Sequence, residues 1–450
     1  MTAAGVLRLV TGWRGLLVLT VFVIASTPIG TPAIAAPGPA AYPEYWFDQW
    51  GINQIWSGGA RGGGITVAII DTGVQASVPQ LQGSVVAGTD LTGLGGDGRI
   101  DRSQDQFSHG TAMASLIVAQ GGDGKVVGVA PAAKILPIAV PLSDTDNSRP
   151  VADKTATAIR YAADHGAKII SMSFGGERTE AADRVPCPAA TQSAVFYALT
   201  RGAILVASSG NSGESGSPVE EPSVCLGVIS VGAVDAADHR SPFSSVHPYL
   251  TVVAPGEAVT SLNRNGAVFV GAGTSQAAAL TSGALALIWS AHPAEDNRHI
   301  AARLMAGLRD LGPAGHDADF GYGVVDADAS VASAPTAATP NPAFTSADPF
   351  LAQLASTPQD LPIPLPAAIK DPVESYRRAP PAMGIQPPTL AGAAAASAGL
   401  IALLVLLVLG WRRRRPPISV STLGPAPEAT PGPWGPGGPQ GYSPYSAGVE

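Results

Sequence analysis

Five apolar runs constrain this chain more than any other feature: ITVAIID (65–71), AKILPIAV (133–140), AKIISMSF (167–174), GAILVASSG (202–210) and VISVGAV (228–234). Rich in Val and Ile, and apolar at consecutive positions, they have the pattern of strands covered on both faces. Helical patterns lie between them, such as TATAIRYAADHG ahead of Ala167, with Gly166 as its stop. The alternation predicts an α/β domain built on a doubly wound, mostly parallel sheet with helices on both faces. It extends from about Tyr45 to Ala334, enough chain to bury a substantial core.

The flanks follow different rules. Arg8 and Arg14, the run LLVLTVFVIA and the small residues ending at Ala35 read as a signal peptide over 1–35, so 36–334 is expected to be an exported domain with a short N-terminal extension. The Pro-rich stretch 335–388 reads as an extended linker. Residues 389–410 carry no charge, and as a helix they would cover roughly 30 Å, the thickness of a bilayer core. Arg412 to Arg415 follow at once, which predicts a single-pass transmembrane helix in the cell membrane with its C-terminal side in the cytoplasm. The remainder of 411–450 is Pro- and Gly-rich and reads as a disordered cytoplasmic tail.

The net charge of −8 provides no basic surface for phosphate backbones, so no nucleic-acid partner is expected. Cys187 and Cys225, the chain's two cysteines, both fall in the exported part, where a disulfide would close a loop of roughly 40 residues; two buried free thiols are the alternative.

Four short motifs carry candidate chemistry. Asp71-Thr72-Gly73 ends the first strand, at the carboxyl edge where open α/β sheets place ligands, although a turn carboxylate has the same pattern. Ser108-His109-Gly110 opens an apolar helix, with Gly110 permitting close backbone approach beside the imidazole. Gly210-Asn211 closes another strand and offers an amide donor or a turn. Gly273-Thr274-Ser275 precedes an Ala-rich helix, so Ser275 is either a nucleophile or an N-cap.

In that chain order and those contexts, Asp71, His109, Asn211 and Ser275 resemble the subtilisin-like serine peptidases. GVAPAAKIL (128–136), Ser173-Phe174-Gly175-Gly176, FSS (243–245), APG (254–256) and GYGVVDA (321–327) extend the resemblance over nearly all of 46–330. It implies peptide hydrolysis through an acyl-enzyme, with Asp71, His109 and Ser275 as the catalytic triad. It also implies Asn211 and the Ser275 N–H as the oxyanion hole, and Ser173, Phe174 and Gly175 as the strand that pairs with substrate. The sequence departs from the family's usual pattern at Ser108 for Gly, Ala279 for Pro and Ser171 for Asn. Of the three, Ala279 is expected to loosen the start of the serine-bearing helix.

A signal peptide, a subtilisin-like domain, a Pro-rich linker, one membrane helix and a basic flank together resemble a mycosin, the membrane-anchored peptidase of type VII secretion systems. That implies exported protein substrates and the secretion membrane complex as a partner. A structural component with dispensable catalysis and a general cell-surface subtilase are the competing classes. No cofactor is expected. Asp97, Asp101 and Asp105 in GGDGRIDRSQD are candidate calcium ligands, but the spacing lacks a full oxygen-ligand set and reads as a solvated loop, so no metal site is expected. Whether the aromatic stretch YPEYWFDQW packs on the domain's flank or covers the cleft is open from sequence.

Overall fold

The computed structural model describes residues 44–356, apart from 105, 122–125, 143–151 and 178–186. In chain order the elements are α1 (Tyr45–Gln49), α2 (Ile52–Ser57), β1 (Thr66–Asp71), β2 (Thr89–Asp90), α3 (His109–Val118), β3 (Lys134–Ala139), α4 (Ala152–Asp164), β4 (Ile169–Met172) and β5 (Gly176–Glu177). There follow α5 (Ala189–Thr200), β6 (Ile204–Ser208), β7 (Glu220–Glu221), β8 (Val228–Val234), β9 (Val252–Pro255), β10 (Val259–Leu262) and β11 (Val268–Gly271). Helices α6 (Thr274–Ala291), α7 (Asn297–Ala306), α8 (Ala327–Ala332) and α9 (Pro342–Ser356) complete the order.

Each of the five apolar runs contains one strand of the seven-stranded sheet, whose order is β2-β3-β1-β4-β6-β8-β9 with every pairing parallel. Nearly every residue of these strands is buried, because α3 and α6 pack together on one face and α4 and α5 on the other. Pro137 is tolerated inside β3 by its orientation. Ile135 bonds outward to Ser84 and Val86, so by alternation the missing N–H of Pro137 faces the edge side, away from central β1.

The winding fixes where a site can form. From β1 the chain moves outward to β2 and β3, then returns to the other side of β1 at β4 and proceeds outward through β6, β8 and β9. Adjacent strands β1 and β4 therefore send their connections in opposite directions, and a crevice opens between their carboxyl ends.

Cys187 and Cys225 are joined in a disulfide with Cα atoms 5.0 Å apart, and both are buried. The bridge ties the entry of α5 to the turn before β8 and closes the loop that contains Asn211. Among the described residues no helix is long and apolar enough to cross a membrane. The predicted signal peptide (1–35), membrane helix (389–410) and tail (411–450) lie outside the described residues.

The stretch read as linker begins differently from expectation. Helix α9 occupies 342–356, with Ala343, Phe344 and Ala347 buried and Phe350 stacked on Phe196 at 5.3 Å between ring centroids. Arg298 also pairs with the Asp348 carboxylate. The apolar spacing is helical, but Pro342 and Pro349 hid it; Pro342 stands in the first turn, where its missing N–H costs nothing.

The described part of the N-terminal aromatic stretch packs on the body. Trp46 and Trp50 are buried, Trp56 Nε1 donates to the Val129 carbonyl at 3.0 Å, and Tyr45 donates to the Glu257 carbonyl at 2.9 Å. Tyr45 reaches Glu257, two residues past the end of β9, and Gln49 donates to the Ala236 carbonyl at 2.9 Å beyond β8, so the described part of the stretch, 44–50, packs on the flank.

Glu44 enters this packing with both carboxyl oxygens buried and lacking a hydrogen bond of normal geometry among the described residues. Burial pushes its carboxyl up to about 8 from 4.5, against a smaller lowering by the Val127 backbone. The folded state thus holds a proton that the unfolded chain releases above 4.5. Its stability contribution is full below 4.5 and is lost as pH rises through about 8, at up to ~1.4 kcal/mol per pH unit between the two. Denaturant melts of the native chain and Glu44→Gln at pH 5, 7 and 9 are expected to diverge, the native chain losing stability relative to the variant as pH rises.

Candidate active site

At the β1/β4 crevice the sequence-predicted residues come together from four elements. Asp71 is the last residue of β1 and is fully buried. Its Oδ1 accepts from the Thr72 N–H at 2.7 Å, and Oδ1 and Oδ2 lie 3.0 and 2.9 Å from His109 Nδ1. A carboxylate can only accept, so Nδ1 carries a proton toward Asp71, and in the neutral imidazole Nε2 is then the basic nitrogen. His109 is the first residue of α3, its side chain about one-third exposed. Gly110 makes this contact possible: a Cβ there would lie 2.1 Å from the Gly73 carbonyl oxygen and 3.2 Å from Asp71 Cβ.

Ser275 is the second residue of α6, with Gly273 as N-cap, so the capping role is excluded. Its Oγ donates to the Ser173 carbonyl at 2.8 Å, and Ser173 Oγ donates back to the Ser275 carbonyl at 3.0 Å. The β1–β4 register aligns Ile69 with Ser171; two residues on, it sets Asp71 opposite Ser173, on strands roughly 5 Å apart. The serine is thereby tied to the position beside the Asp71–His109 pair.

Asn211 follows β6. Its Oδ1 accepts from the Thr274 N–H at 2.9 Å and from Thr274 Oγ1 at 3.0 Å. Only the oxygen can accept from an N–H, so the amide is fixed with Nδ2 as an outward donor. Ser245 braces this loop, its N–H donating to the Gly210 carbonyl at 3.0 Å and its Oγ accepting from the Ser212 N–H at 3.1 Å. Of the predicted substrate strand, Ser173 and Phe174 are buried and Gly175 is exposed.

Three departures from the family pattern resolve physically. Ser108 is left-handed, φ +56°, which is the reason Gly suits that position. Ser171 finds its partner in Ser282, whose hydroxyl donates to it at 3.0 Å. Ala279 does not loosen the helix start: α6 runs unbroken from Thr274, and Ala279 lies fully buried in its second turn, where Ala is a better helix former than Pro.

The Asp97–Asp105 loop is not simply solvated. Asp97 pairs with Arg99 at 2.6 Å, and Asp105 lies outside the described residues. Asp101 is buried and holds the site together. Its Oδ1 accepts from Thr72 Oγ1 and the Ser103 N–H, both at 2.9 Å; its Oδ2 accepts from the Thr111 N–H at 2.9 Å and from Thr111 Oγ1 at 2.5 Å. Burial raises its pKa, and the Thr111, Ser103 and Thr72 bonds work in the opposite direction. One carboxylate thus couples the turn after Asp71 to the first turn of the His109 helix. Neither Asp101 nor Thr274 carries a local sequence signal for these roles, because their partners are distant in the chain.

A parallel α/β sheet with a carboxylate–imidazole pair at the end of β1 and a hydroxyl tied to the segment after β4 has the groups of a hydrolase-type site. Comparison with known proteins specifies it further. The model of the subtilase family matches residues 62–323, and the chain belongs to that family. It is 35% identical over 240 residues to the major intracellular serine protease of Bacillus subtilis, covering 53% of this chain and 72% of that protein. It is 32% identical over 288 residues to subtilisin of Bacillus pumilus, covering 62% and 98%. Among solved structures it is similar to the MycP3 protease from the type VII (ESX-3) secretion system (TM-score 0.55, 30% identity, 68% of this chain and 90% of that one). It is also similar to MycP1, a serine protease described as an essential component of the type VII (ESX-1) secretion system (TM-score 0.56, 27% identity, 66% and 92%).

Asp101→Asn sets an amide N–H against donors that now converge on the carboxylate. The variant is expected to lose about 2–3 kcal/mol in a denaturant melt and to lower kcat on a peptide substrate about tenfold through displacement of His109.

Proposed function

We propose that this subtilisin-like serine protease is a membrane-anchored endopeptidase that cleaves exported proteins through an acyl-enzyme beside a type VII secretion complex. The observation that carries the catalytic part is the two-oxygen contact of Asp71 with His109 Nδ1, at a sheet edge to which Ser275 is also tied. Asp71 fixes the tautomer and stabilises the imidazolium. Rotation about the Ser275 Cα–Cβ bond takes the hydroxyl from the Ser173 carbonyl to Nε2, which accepts its proton as Oγ attacks the scissile carbonyl. The Asn211 amide and the Ser275 N–H, unpaired within its helix because it belongs to the first turn, stabilise the oxyanion. The C–N bond then breaks as the imidazolium gives its proton to the leaving amine, and water attacks the acyl-enzyme with His109 again as base.

Support for the anchor is the uncharged stretch 389–410 followed by Arg412–Arg415. Support for the secretion role is the likeness to MycP1 and MycP3 together with that chain order. On this reading the full-length protein fractionates with membranes and co-purifies with channel components, and recovery in the soluble fraction would count against it.

A fluorophosphonate probe is expected to label the native chain and not Ser275→Ala, with Asp71→Asn labelled far more slowly. Equal labelling of all three contradicts the triad. Asn211→Ala is expected to lower kcat by about 10²–10³ with KM little changed.

A further inference from the structure

On the peptidase reading above, Asn211 has to hold its amide in place while the scissile carbonyl becomes tetrahedral. Thr274 fixes the amide group, but Asn211 itself is exposed and stands in the loop that leaves β6. Both peptide groups that flank its Cα are held by one buried residue. The Gly210 carbonyl accepts from the Ser245 N–H at 3.0 Å, and the Ser212 N–H donates to Ser245 Oγ at 3.1 Å. With both planes held, the two backbone torsions of Asn211 are restrained, and with them the direction of its Cβ.

A guanidinium reaches this brace from behind. The Ser245 N–H shares a peptide group with the Ser244 carbonyl, and that carbonyl accepts from Arg240 Nη1 at 2.8 Å. Arg240 Nη1 also donates to the Ser241 carbonyl at 3.3 Å, and Nε pairs with Asp319 at 3.0 Å. The turn from 241 to 245 is anchored on β8: the Ser241 N–H donates to the Ala233 carbonyl, and the Ala233 N–H donates to Ser244 Oγ, each at 3.0 Å. It also touches the loop past Asn211. The Gly213 N–H donates to the Phe243 carbonyl at 2.8 Å, and a Cβ on Gly213 would lie 2.4 Å from the Ser244 carbonyl oxygen.

The Ser244–Ser245 peptide thus accepts a charge-assisted bond on one side and donates to Gly210 on the other. A cation at its carbonyl polarises the group and makes its N–H a stronger donor, so the two bonds reinforce each other. The ion pair with Asp319 adds little by itself, because the two side chains are 27% and 52% exposed. The fork is what matters. Arg presents Nη1 and Nε in one rigid plane to three acceptors, which a lysine ammonium does not reproduce.

We infer that Arg240 is a positioning residue of the oxyanion hole, acting through the Ser244–Ser245 peptide on the backbone of Asn211. Its effect falls on the transition state, where the Asn211 amide is used, and not on substrate binding.

The test is a double-mutant cycle. kcat and KM on one fluorogenic peptide are compared for the native chain and Arg240→Met, each with and without Asn211→Ala, with folding of all four checked by denaturant melts. Arg240→Met is expected to lower kcat about three- to tenfold with KM changed less than about twofold. In the Asn211→Ala background, where the group being positioned is gone, it should cost less than about twofold. An arginine that only stabilises the turn gives the same fractional loss in both backgrounds. Equal losses, or an unchanged kcat in folded Arg240→Met, overturn the inference. If Arg240→Met does not fold, the same cycle with Arg240→Lys, which keeps the charge and lacks the fork, decides by the same two criteria. Fluorophosphonate labelling separates the two levels: a labelled native chain with equal losses rejects the positioning role alone, and a native chain that neither labels nor cleaves rejects the peptidase reading and this inference with it.

Discussion

Two reciprocal hydrogen bonds, Ser275 Oγ to the Ser173 carbonyl and Ser173 Oγ to the Ser275 carbonyl, join the first turn of α6 to the carboxyl end of β4. The rest of the site takes its position from that seam. Helix α6 is buried from Thr274 to Trp289, so its axis is set by the sheet above it and its first turn cannot drift. Strand β4 lies beside β1 in fixed register, which sets Asp71 at the level of Ser173. The hydroxyl is therefore located by core packing, and the chemistry at the surface inherits the rigidity of the interior.

The same logic governs the polar groups around it. Asp101 costs desolvation, visible in its raised pKa, and the cost is offset by four donors drawn from the turn after Asp71, the turn at Ser103 and the first turn of α3. Thr274 spends its N–H and hydroxyl on one oxygen of Asn211, which leaves the nitrogen as the donor. In both cases several donors converge on one buried or half-buried acceptor, and that fixes the backbone or amide group beside it. Asp71 and His109, 38 residues apart, meet because Thr72 and Thr111 share that acceptor.

Local sequence signals read the main elements well. The run 228–234 coincides with β8, and each of the other four runs contains a strand shorter by one or two residues at one or both ends. Signals failed where partners were distant or masked by composition. Helix α9 was hidden by its prolines. Strand β9 and the short β5–β7 and β10–β11 pairs have no alternating pattern long enough to read. Asp101 looked like a loop carboxylate because its donors are up to 29 residues away in the chain.

By itself the sequence determined the α/β class, the family and the four chemical groups, because strand periodicity and short motifs are local properties of the chain. Only the tertiary structure decided that Ser275 is not a cap, that the Asn211 nitrogen is the donor, that Ala279 leaves α6 intact, and that Arg240 bonds to the peptide that braces Asn211. Each of these depends on atoms that the folded sheet brings within a few ångströms, and no spacing along the chain encodes such a contact.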